Sequence, residues 1–188
     1  MNNIIFDLFV RMLRSLPPGM PDKARLARTM LGPYLQVQDV YIATRYGTFL
    51  VPSIREPIAF HLLVDGVYEP TVANFLISRL DTGMTFVDVG ASIGVFTILA
   101  ARRVGPAGRV LALEPSPHVF PYLEHNVKIN DLPNIHLKQC AAYDSNRPNL
   151  LWWEAPVEHF GMGSLAPQFH TSPIAVPGKM LDDILIEE

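Results

Sequence analysis

Five residues in one short run have the types and spacing of a binding loop. In FVDVGASIGVFTILAA, Phe86 to Ala101, Asp88 is followed by Gly90, Ala91, Ser92 and Gly94. Small residues after an apolar strand let the backbone approach a ligand closely. Gly94 opens the helical run behind it, and a helix start leaves N–H groups free to meet a ligand. The next apolar run ends in Glu114, twenty positions after Gly94, where a carboxylate can accept both hydroxyls of a ribose. Strand, glycine loop, helix and well-timed acid together point to an adenosine-type ligand. Alone, the loop would read as a corner between a strand and a helix. It is not Gly-x-Gly-x-x-Gly, because Ile93 precedes Gly94 and no third glycine follows, which argues against an NAD-type oxidoreductase. Asp88, a carboxylate ending the first strand, suits a cationic or amine-bearing ligand better than a pyrophosphate.

The other reactive side chains carry no motif. None of the six histidines (His61, His118, His125, His136, His159 and His170) sits in a recognisable pattern. His159 and His170 flank FGMGSLAPQF, a loop where an acceptor pocket could form, yet both read as surface or packing residues. Trp152 and Trp153 are adjacent, so in a strand they face opposite ways; at least one belongs in the core, and a stacking platform is the alternative. Cys140 reads as a small buried apolar residue. No catalytic residue is assigned, and no metal site.

These residues need elements to hold them. Residues 1–35 read as helical, broken at LPPGMP. Ile5, Leu8, Phe9, Met12 and Leu13 recur at helical spacing, which predicts a helix packed on the domain or on a partner chain. Peripheral membrane contact through residues 1–16 is the second reading. Residues 37–64 alternate and are β-rich, with a turn at Tyr46-Gly47. Glu69–Leu80 reads as a helix with Pro70 in its first turn and Val72, Phe75, Leu76 and Leu80 as its apolar stripe. From Thr82 strands and helices alternate. MTFVDVG is a strand, VFTILAARRV a helix ended by Gly105-Pro106, and GRVLALEP a second strand. SPHVFPYLEHNVKIND is a second helix, with Ser116 as N-cap, Pro117 at its first position and Phe120, Leu123 and Val127 buried. NIHLKQCAAY is a third strand. This β-α-β-α-β order predicts a parallel sheet with crossover helices.

Composition narrows the class. With 188 residues, 49% hydrophobic and only 18% charged, the chain can bury a real core and is not a disordered one. A net charge of −3 offers no electrostatic grip on nucleic acid, so no nucleic-acid partner is expected. The one cysteine excludes an intrachain disulfide and fits a reducing, cytoplasmic setting. No apolar run approaches the roughly 18 residues of a transmembrane helix.

At the glycine loop and its surroundings the sequence resembles the FkbM-type S-adenosylmethionine-dependent methyltransferases of class I. The resemblance runs from GVYEP near Gly66 to Asp144, and more weakly through GMGSL to VPGKMLDDIL. It implies an α/β fold with a Rossmann-like class I sheet and crossover helices. The methyltransferase part would begin at residue 66, after an N-terminal helical and β extension over residues 1–65. It implies S-adenosylmethionine as cofactor, with Asp88, Gly90, Ala91, Ser92 and Gly94 around its methionine and ribose parts. Glu114 would bind the ribose and Pro115 lie beside the adenine. Tyr68 and Glu69 would stand near the methionine end, and Ala141 and Asp144 border the adenine. The acceptor implied is a hydroxyl of a sugar, glycan or secondary metabolite. The family pattern continues with a fourth core strand and a K-I-D-V-E-G-like segment that this sequence, ending at Glu188, does not contain. The strand MTFVDVG is therefore expected to have an open edge, available for self-association or a partner. A non-catalytic cofactor- or partner-binding fragment is the rival reading.

Overall fold

A computed structural model describes residues 4–17, 20, 22–34 and 36–187. Residues 1–3 of the segment read as a membrane contact, and Pro18, Gly19 and Pro21 of the expected break, lie outside the described residues.

The chain opens with two helices, α1 (Ile4–Ser15) and α2 (Lys23–Leu31), as expected. Phe6 and Leu13 of α1 are buried, whereas Ile5, Leu8 and Met12 are exposed. Arg14 ties the helix down by donating to the backbone oxygens of Leu62 (3.0 Å), Leu63 (2.9 Å) and Ala43 (2.9 Å). Strands β1 (Gln38–Ala43) and β2 (Thr48–Ser53) form an antiparallel hairpin with Val40 opposite Val51. Its turn falls at Tyr46-Gly47, closed by the Thr44 N–H on the Gly47 oxygen at 2.8 Å.

The β-rich reading fails after residue 53. Residues Pro57–Asp65 form a helix, α3. The Glu56 carboxylate caps it by accepting the Ile58 and Ala59 N–H groups at 2.6 and 3.2 Å, and Pro57 occupies its first turn. Ala59, Phe60, Leu62, Leu63 and Val64 are all buried. A helix apolar nearly all round shows no 3.6-residue periodicity to read. The next helix, α4 (Pro70–Arg79), exists as expected, but its stripe differs. Val72 and Phe75 are exposed, Leu76 is only partly packed, and Ala73 and Leu80 are the buried residues.

The central sheet follows the predicted alternation. Strands β3 (Thr85–Val89), β4 (Arg109–Leu113) and β5 (Ile135–Lys138) are parallel in the order β3-β4-β5. They are linked by α5 (Val95–Val104) and α6 (Phe120–Ile129). Ser116 caps the approach to α6, its hydroxyl accepting the His118 and Val119 N–H groups at 3.2 and 3.1 Å; a turn containing Pro117 precedes the helix proper. The expected third strand is split. The Cys140 N–H turns back onto the Lys138 oxygen at 3.1 Å, which ends the ladder. Ala141–Ala142 (β6) then joins a second sheet, parallel to β8 (Ile174–Lys179), with β7 (Arg147–Trp152) antiparallel on the far side of β8. A last helix, α7 (Leu181–Glu187), packs Ile184 under Leu111 and Leu113.

Two features frame the site. Phe6, Leu31, Phe49 and Phe60 belong to the same buried cluster as Ile93, Val95 and Ile98. The N-terminal segment and the glycine loop therefore share one core. Among the described residues β3 pairs only with β4, so its other edge is open, with Met84 and Val89 exposed beside it. No described helix is long and apolar enough to cross a membrane.

Candidate cofactor site

The glycine loop leaves β3 at the carboxyl end of the sheet. Its register is carried one step past the strand, because the Gly90 and Ala91 N–H groups both donate to the Leu113 oxygen at 2.9 Å. Gly90, Ser92 and Gly94 all have positive φ, at 80°, 51° and 88°, a region that favours glycine. At Gly94 packing adds a second reason, since a Cβ there would lie 2.7 Å from Leu123 Cδ1. This loop turns Ser92 so that its N–H donates to Glu114 Oε2 at 2.8 Å. The Ser116 N–H donates to Oε1 at 2.9 Å. Glu114 is thereby held from both sides at the mouth of β4. It is only 6% exposed, and burial pushes its carboxyl up to about 7, with Glu154 and Asp88 adding to the push against the two N–H bonds.

A cavity of about 210 Å³ opens at this point. Gly90, Ser92, Glu114, Pro115 and Ala141 line it, so five of the residues picked from the sequence meet around one space. Ala91 is buried behind the loop and Gly94 forms the turn into α5. Asp88 does not line the cavity; the Thr97 hydroxyl donates to its Oδ2 at 2.5 Å, and burial raises its pKa. Tyr68 packs on Phe96 in the first turn of α5, ring centroids 6.0 Å apart. Burial and the neighbouring Glu69 push its phenol up to about 12. Glu69 itself is exposed ahead of α4. Asp144 is exposed in the turn after β6, accepts the Ser145 hydroxyl at 2.8 Å, and is not among the lining residues.

Val89 at the end of β3 lines the cavity as well, and the rest of the wall comes from the second sheet, with Cys140 before it, and from the loop after it. Trp152, Phe160, Gly161, Gly163 and Leu165 line the cavity together with Cys140. The signal for them lay in FGMGSL. Gly163 faces the Trp152 indole so closely that a Cβ would collide with the ring. Trp153 and Ser164 exchange backbone hydrogen bonds of 2.8 and 3.0 Å, which fold that loop back over β7. Of the tryptophan pair, Trp152 faces the site. His159 instead stacks on Phe169 at 5.9 Å, and neither it nor His170 reaches the cavity. No cluster suited to a metal occurs among the described residues.

The wall fits an adenosine-bearing cofactor. Each Glu114 oxygen accepts one backbone N–H and keeps a lone pair for a ribose hydroxyl. Two lining residues, Ser92 and Trp152, also carry a buried polar atom with no partner among the described residues. Buried polar groups left unmade are costly, which suits a site that receives a polar ligand.

A parallel sheet, a glycine loop after one strand and a backbone-held acid after the next define an α/β, Rossmann-like fold with a site for an adenosine-bearing cofactor. The family model of the methyltransferase FkbM domain matches residues 88–188, just over half of the chain, and the chain belongs to this family. Methyltransferase sdnD of Sordaria araneosa is 34% identical over 70 residues, covering 37% of this chain and 27% of that protein. The tRNA (guanine(37)-N(1))-methyltransferase of Danio rerio is 49% identical over 55 residues, covering 29% of this chain and 11% of its own. Among solved structures, the SAM-dependent methyltransferase of Agrobacterium tumefaciens aligns with a TM-score of 0.40 at 15% identity, over 55% of this chain and 32% of that one. The chain thus spans about a quarter or less of the curated relatives named here.

Proposed function

We propose that the chain binds S-adenosylmethionine between the Gly90–Gly94 loop and Glu114 and serves methyl transfer to a hydroxyl of a sugar, glycan or other secondary metabolite. The supporting observation is the Glu114 carboxylate, fixed by the Ser92 and Ser116 N–H groups at the edge of the cavity. Bound S-adenosylmethionine would supply a methyl group already activated on a sulfonium. What remains for the protein is chiefly orientation, with acceptor and methyl in line at about 3–3.5 Å.

In this reading Glu114 takes the ribose, and Pro115 and Ala141 wall the base. Gly90, Ala91, Ser92 and Gly94 let the backbone close round the ligand. Asp88, Tyr68 and Glu69 serve the methionine end, supported by Tyr68 lying against the first turn of α5. Asp144, exposed beside β6, has the least support as an adenine neighbour. Residues 66–188 carry the cofactor part, with 1–65 folded onto it as an extension, and the single cysteine supports a cytoplasmic setting. The second reading is a non-catalytic binding role, which the open edge of β3 favours as a place for a partner strand. The name of the Danio rerio relative raises a tRNA acceptor, which a net charge of −3 does not favour.

Calorimetry with S-adenosylhomocysteine and NAD tests the cofactor, and labelled methyl transfer to hydroxylated sugars, metabolites and a tRNA tests the acceptor. Homocysteine-conjugate binding that disappears in Glu114→Ala is the expected result. NAD binding in its place would sink the reading. Binding without turnover on any acceptor would assign the non-catalytic role.

A further inference from the structure

We propose that Asn126 is a positioning residue for the cofactor loop, through which the N-terminal hairpin sets the geometry of Gly90–Gly94. The ligand readout of this idea rests on the S-adenosylmethionine reading above.

The outer edge of β2 is met by a helix. Asn126 Oδ1 accepts the Leu50 N–H at 2.7 Å and its Nδ2 donates to the Leu50 oxygen at 3.1 Å. One turn on, Asn130 Oδ1 accepts the Thr48 N–H at 3.1 Å and its Nδ2 donates to the Thr48 oxygen at 2.7 Å. Two amides four residues apart rise about 6 Å along a helix. Two residues of a strand span about 6.8 Å. The spacings match within about 1 Å, so α6 presents the donor and acceptor pattern of a neighbouring strand. Gly47 makes room for it, since a Cβ there would collide with Asn130 Oδ1.

The two asparagines then differ. The second Nδ2 hydrogen of Asn130 stays within its own helix, on the Asn126 oxygen at 2.8 Å. That of Asn126 crosses to the Ile93 oxygen at 2.9 Å. Ile93 lies between Ser92, whose N–H holds Glu114, and Gly94, which opens α5. Asn126 is fully buried, so no water substitutes for this bond. One side chain thus joins the β2 edge to the back of the cofactor loop.

Asn130 supplies the control, because Asn130→Ala removes the equivalent pair of strand bonds at Thr48, and a 3.0 Å bond from Arg102 near the far end of α5, without touching the loop. Asn126→Ala is expected to weaken S-adenosylhomocysteine binding about tenfold and to speed amide exchange at Ser92–Gly94. Asn130→Ala should leave affinity within about twofold of wild type and exchange unchanged, at a comparable loss of unfolding stability. Should Asn126→Ala not fold, Asn126→Asp keeps the acceptor for Leu50 and loses its proton for the Ile93 oxygen once it ionises. Its loss of affinity relative to wild type at the same pH is expected to grow as pH is raised from about 5.5 to about 9. Equal weakening in the two alanine variants, or wild-type affinity and exchange in Asn126→Ala, would overturn the proposal. If wild type itself bound no S-adenosylhomocysteine, the cofactor reading would fall, and the exchange comparison would still decide the positioning role.

Discussion

Replacing Glu114 by glutamine separates the cost of holding this acid from its use. Burial lifts its carboxyl from an ordinary 4.5 to about 7, so between those values the folded chain holds a proton that the unfolded chain releases. An acid with a raised folded pKa contributes stability that is complete below its unfolded value and is lost as pH climbs through its folded value. A shift of that size corresponds to about 3 kcal/mol in total, of which about 2 kcal/mol is lost between pH 5.5 and 8. Glu114→Gln is neutral throughout and still offers one oxygen to the Ser92 or Ser116 N–H. Urea unfolding at several pH values is the assay. Wild type should lose about 2 kcal/mol more than the variant between pH 5.5 and 8. Glu56, also pushed up to about 7 by burial, contributes the same slope to both proteins and cancels in the comparison. Identical pH slopes in the two proteins would refute the idea that Glu114 is held against its own desolvation.

Other expectations concern the ligand and the scaffold. Ribose hydroxyls favour the ionised carboxylate, so S-adenosylhomocysteine affinity should rise as pH is raised from 6 to 8, approaching tenfold per unit below about 7, and calorimetry across that range would show it. Gly163→Ala should displace Trp152 and impair cofactor binding, with a smaller effect on thermal unfolding, because the glycine faces the indole at the cavity. Gly94→Ala should harm both, because positive φ and contact with Leu123 leave no room for a methyl group. Arg14→Met should cost about 1–3 kcal/mol in urea unfolding, because three backbone oxygens lose a charged donor.

Legibility followed how local each signal was. The β3-α5-β4 unit was readable because an apolar strand, a glycine loop, a helix and an acid follow one another at short range. Gly90, Ser92 and Glu114 come from that run and line the cavity, together with Pro115 and Ala141, which were named through the family resemblance. Helix α3 was missed because its apolar residues surround it and erase the periodicity. The α4 stripe was misassigned because periodicity marks an apolar face without saying that anything covers it, and Phe75 remains exposed. Asn126 gave no signal at all, since its partners Leu50 and Ile93 are 76 and 33 residues away.

By itself, the sequence determined the parallel alternation, the family and the loop-and-acid pair, because those depend on residue types in consecutive elements along one stretch of chain. Tertiary structure decided which walls close the cavity. Trp152 and Gly163 reach it only once β7 has paired with β8 and the Trp153–Ser164 bridge has folded the following loop back. It also decided that the N-terminal hairpin is bound to the cofactor loop. That bond needs a strand edge and a helix face to arrive at matching spacing, a condition that no stretch of sequence states on its own.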